Sequence, residues 1–79
     1  MNKETQEHKK SLESQLQYAK QQDQILAKIE EKLHKMKGIA EFARDFQLSI
    51  NEKNKLNTRL NELKEEVSLL EKQLQPIVH

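Results

Sequence analysis

Glu30 and His34 stand four residues apart, so on a helix they share a face and could both reach one cation. A structural metal site normally takes four ligands, and the chain has no Cys and only two further histidines, His8 and His79, far away in sequence. The pair reads as surface side chains, with His34 placed to favour the negative end of a helix dipole. Glu30-Glu31 and Glu65-Glu66 are acidic doublets, yet neighbours in sequence do not face one another on a helix. Carboxylates that share acid-base work also need a pocket to separate their pKa values. Ser14, Ser49 and Ser68 have no histidine one helical turn away that would activate them. There is no Gly-rich phosphate loop. The expectation is a protein that is not an enzyme, with no catalytic, cofactor-binding or metal residues and no cofactor.

The elements that carry these side chains are helical. The chain has 79 residues, one Gly, one Pro and no Trp, and 34% of it is charged. It lacks the turn chemistry a sheet requires. Richness in Glu, Lys, Gln and Leu points to long helices or a coiled coil. A chain this short, without disulfide or metal to staple it, has difficulty closing a core alone. Net charge is +1, too balanced to imply nucleic acid or an anionic membrane. No apolar run approaches a membrane span, and the start, MNKETQEHKK, has no signal-peptide core. With no Cys, a reducing compartment fits, and the expected location is cytoplasmic.

From Ile39 to Leu74 apolar residues recur at intervals of four and three: Ile39, Phe42, Phe46, a lapse at Ser49 and Lys53, then Leu56, Leu60, Leu63, Val67, Leu70 and Leu74. Gly38, the only glycine, follows Lys32, His34, Lys35 and Lys37 and precedes Glu41 and Asp45. Basic residues before it and acids after it suit a helix end meeting a helix start. The spacing predicts an all-α, coiled-coil-like antiparallel helical hairpin in a single domain: helix 1 about 6–37, turn about 38–39, helix 2 about 40–75. Ser49 with Glu52 has the spacing of a capping box and marks a second, less favoured break. Pro76 ends the second helix. In outline the chain resembles small secreted helical hairpins whose turn carries Trp-x-Gly. The likeness covers the architecture and Gly38, with Met36 where the Trp would stand, and no residue role is taken from it.

Folding about Gly38 brings Leu33 against Phe42, Leu16 against Leu60 and Leu12 against Leu63, with Asp23 and Lys53 in a shared polar core layer. One continuous helix in a parallel dimer would instead set Asp23 against Asp23 and Lys53 against Lys53. The hairpin leaves Val67, Leu70, Leu74 and Ile77 without apolar partners at one end, and Phe42 and Phe46 in excess at the other. These six are the expected interface residues, since contiguous exposed apolar surface marks interaction sites. The expected partner is a second copy in a helical bundle, or a helix of another protein. The function expected is protein–protein interaction through helix packing, as an adaptor, regulator or assembly factor. Alternatives are a structural rod or spacer, and a nucleic-acid-associated factor using Lys28, Lys32, Lys35 and Lys37.

Overall fold

The computed structural model describes residues 3–74. Two helices pack against each other: α1, Lys3–Asp45, and α2, Ile50–Gln73. Among the described residues there is no strand. The expected all-α helical hairpin is present, but its turn is Phe46–Ser49 rather than Gly38. α1 runs unbroken through Gly38, whose φ is not positive, so it is no left-handed cap. A helical interior glycine costs about 1 kcal/mol, less than breaking a 43-residue helix in which the residues on both sides are strong helix formers. The expected bounds of 6–37 and 40–75 are corrected accordingly, and with them the likeness to hairpins that turn at Trp-x-Gly.

What turns the chain is Ser49. The Glu52 N–H donates to Ser49 Oγ at 3.2 Å, the Ser49 N–H donates to Glu52 Oε1 at 3.4 Å, and the Ser49 hydroxyl donates to the same oxygen at 3.0 Å. This closed capping box satisfies the first donors of α2. Ser49 itself is extended, with φ −68° and ψ 164°. Substituting Ser49→Ala should cost about 1 kcal/mol, read as a lower urea midpoint at fixed protein concentration. An unchanged midpoint would mean the turn is held elsewhere. At the other end α2 stops at Leu74, which is extended and whose N–H donates to Glu71 O at 3.1 Å. Ile77 lies outside the described residues.

The seam follows from the turn. On α2 it is Leu56, Leu60, Leu63, Val67, Leu70 and Leu74, at alternating intervals of four and three, all buried or half-buried. On α1 the matching stripe is Ile25, Ile29, Lys32, Met36 and Ile39, also buried or half-buried. Ile29, Leu63 and Val67 are the buried core. Lys32 interrupts the α1 stripe, and its ammonium reaches Glu66 Oε2 across the interface at 3.1 Å.

This register differs from the one expected about Gly38. Lys53 lines a cleft near the turn with Ile39, Ala43, Leu48 and Leu56. Asp23 is exposed and lies about 30 Å farther along α1 than Ala43, at 1.5 Å per residue. The Asp23–Lys53 core layer therefore does not form. The molecule is 70 Å long and about 20 Å across, with a radius of gyration of 20.3 Å, against about 12 Å for a compact chain of this length.

Candidate interaction surface

Because α1 has 43 residues and α2 has 24, α1 extends about 28 Å beyond the end of its partner. Gln73, at the end of α2, shares a cleft with Gln22 and Ile25, which fixes where the overhang begins. Among the described residues the surplus apolar surface therefore lies on α1, not on the end of α2. Val67, expected at an interface, is buried inside the hairpin, and Leu70 and Leu74 are half-buried in the same seam. Shifting the turn toward the C-terminus supplied them with Ile25 and Ile29 as the facing stripe.

Two clusters of exposed apolar side chains stand out among the described residues. Leu12, Leu16, Leu26 and Leu33 are each roughly half exposed, at 52, 57, 46 and 48%. With Ala19 they form one stripe along α1, about 120° around the helix from the seam at 100° per residue. Asp23 and Glu30 occupy its remaining positions. The second surface is at the turn, where Phe42 and Phe46 stack with ring centroids 4.7 Å apart and planes inclined by 30°. Both rings remain about half exposed, and Ile50, the first residue of α2, is 77% exposed. Phe42 and Phe46 were expected at an interface and are on the surface. They lie on the side of α1 opposite the leucine stripe.

The lysines of the expected basic stripe are largely paired with acids. Lys32 bridges Glu66, Lys35 bridges Glu31 at 3.1 Å, and Lys37 approaches Glu41 at 3.9 Å. Three of the four lysines of the basic stripe are thereby neutralised, which disfavours a phosphate-binding face. The Lys32 hydrogen bond and charge hold the Glu66 carboxyl below its ordinary pKa. A carboxyl more acidic folded than unfolded stabilises the fold above the unfolded value. That contribution is lost as pH falls through the lowered folded value. Glu66 is partly exposed, so solvent screens the effect.

Glu30 and His34 flank a shallow depression with Leu33 and Lys37, and the ammonium there works against a cation. Among the described residues no three His, Cys, Asp or Glu side chains gather as a metal site would require. No helix among them is long and apolar enough to cross a membrane. Sequence reasoning assigned Leu12 and Leu16 to the hairpin seam and missed the Lys32–Glu66 bridge. The signal available was the phase of Ile25, Ile29, Met36 and Ile39, which continues through Lys32 without a slip. No protein-family model, curated protein or solved structure matches this chain.

Proposed function

We propose that the chain is a non-enzymatic coiled-coil interaction module that acts through helix packing and self-association, in the manner of an adaptor or assembly factor. One observation carries this reading. The chain exposes 7060 Å², whereas a compact protein of its mass exposes about 5,000 Å². The surplus of about 2,000 Å² per chain exceeds the roughly 800 Å² per partner that a standard stable interface buries. Three buried side chains are a small core for a helix pair of this length. The exposed leucine stripe supplies apolar surface of the kind helices bury against each other. The 70 Å length supports a second reading, a spacer that sets a distance within an assembly.

Sedimentation equilibrium of the purified chain tests the first reading. The expected mass is a multiple of the 9.4 kDa protomer at micromolar concentration. A strictly monomeric species across the accessible range would refute self-association.

A further inference from the structure

Between Lys9 and Leu26, α1 has a face that α2 does not cover. The seam to α2 lies about 120° away, and α2 ends beside Gln22. The geometry points to the α1 helix of a second copy as the occupant, lying antiparallel on this face with Leu16 packed against Ala19 of the second copy. This rests on the self-association proposed above and specifies its surface and orientation.

Charge complementarity selects both occupant and register. Leu12, Leu16, Ala19, Asp23 and Leu26 follow the intervals four, three, four and three of a coiled-coil seam. Glu13 and Lys20 each directly follow a seam residue and lie on the same flank, two helical turns apart. In an antiparallel pair like flanks meet. With Leu16 across from Ala19, Glu13 meets Lys20 of the second copy, and the two-fold axis repeats the contact with the roles exchanged. Lys9 falls one layer from Asp23 of the second copy, again twice. None of these four residues takes part in the five ion pairs found among the described residues.

The competing arrangements are worse. Sliding one helix by a heptad sets Lys20 against Lys20, or Glu13 against Glu13. A parallel pair in register sets Asp23 against Asp23 and Lys9 against Lys9 across the seam. Each like-charge contact is unfavourable. The antiparallel overlap also leaves α2 of each copy free to remain on its own hairpin, because it approaches α1 from a different side.

The test is the dissociation constant of the full chain by sedimentation equilibrium, for the wild type, Glu13→Lys, Lys20→Glu and the double swap. Both positions are exposed, so circular dichroism should show the helix content preserved. Each single swap turns two attractive contacts into two repulsive ones and should weaken association about tenfold. The double swap should return it to within about twofold of the wild type. If the wild type associates but the single swaps have no effect, or the double swap is no better than the singles, this face or its register is wrong and self-association stands. If the wild type is monomeric throughout, both proposals fall.

Discussion

Leu63→Ala should destabilise the hairpin by about 3 kcal/mol. Leu63 is fully buried, and it occupies the middle of the α2 seam beside Leu60 and Val67. The substitution removes its transfer free energy and leaves a cavity that two slender helices fill only in part. Alanine is a better helix former than leucine, so the loss comes from packing between the helices. Leu69→Ala is the control. Leu69 is 59% exposed, and its truncation should change stability by no more than about 0.5 kcal/mol. Urea denaturation at one protein concentration separates the two, since association also contributes to the measured stability. Equal losses at positions 63 and 69 would mean that α2 presents another face to α1.

Gly38→Pro should cost about 3 kcal/mol or more, because a proline in a helix interior removes a hydrogen bond and collides with the preceding turn. Gly38→Ala should do the reverse and stabilise by about 1 kcal/mol. A Cβ at this position meets nothing within 4 Å, so no clash opposes the gain. The two variants bear directly on where the chain reverses. Were Gly38 a left-handed cap, alanine would be strained there and would lower the melting temperature. A destabilised Gly38→Ala protein would therefore overturn the continuous α1.

Helical content and hairpin topology were legible in the sequence, and the position of the reversal was not. Lysines precede Gly38 and acids follow it, the charge pattern of a helix end meeting a helix start. Yet Lys35 and Lys37 find their acids within α1 itself, at Glu31 and Glu41, and so stabilise a helix that continues. The competing signal was Ser49 with Glu52, a spacing that arises often by chance. Its strength becomes evident only when both halves of the box close, as they do here.

The candidate surface inherited the same error. Nine residues of displacement in the reversal exchange the partners of every seam residue, so Val67 passed from surplus to core and Leu16 from core to surplus. A charged residue in a seam also conceals its phase. Lys32 reads as a polar face until Glu66 on the other helix is placed within reach.

Unequal arms have a kinetic consequence. Within one hairpin the first five or so turns of α1 have no α2 beside them, and a lone helix of that length is marginal in water. Local opening should therefore grow easier with each turn away from Ile25, so amide deuteration would sweep inward from the tip toward the paired segment. Any binder that lays a second helix along the arm would slow that sweep, which makes exchange rates at Leu12 and Leu16 a direct gauge of occupancy.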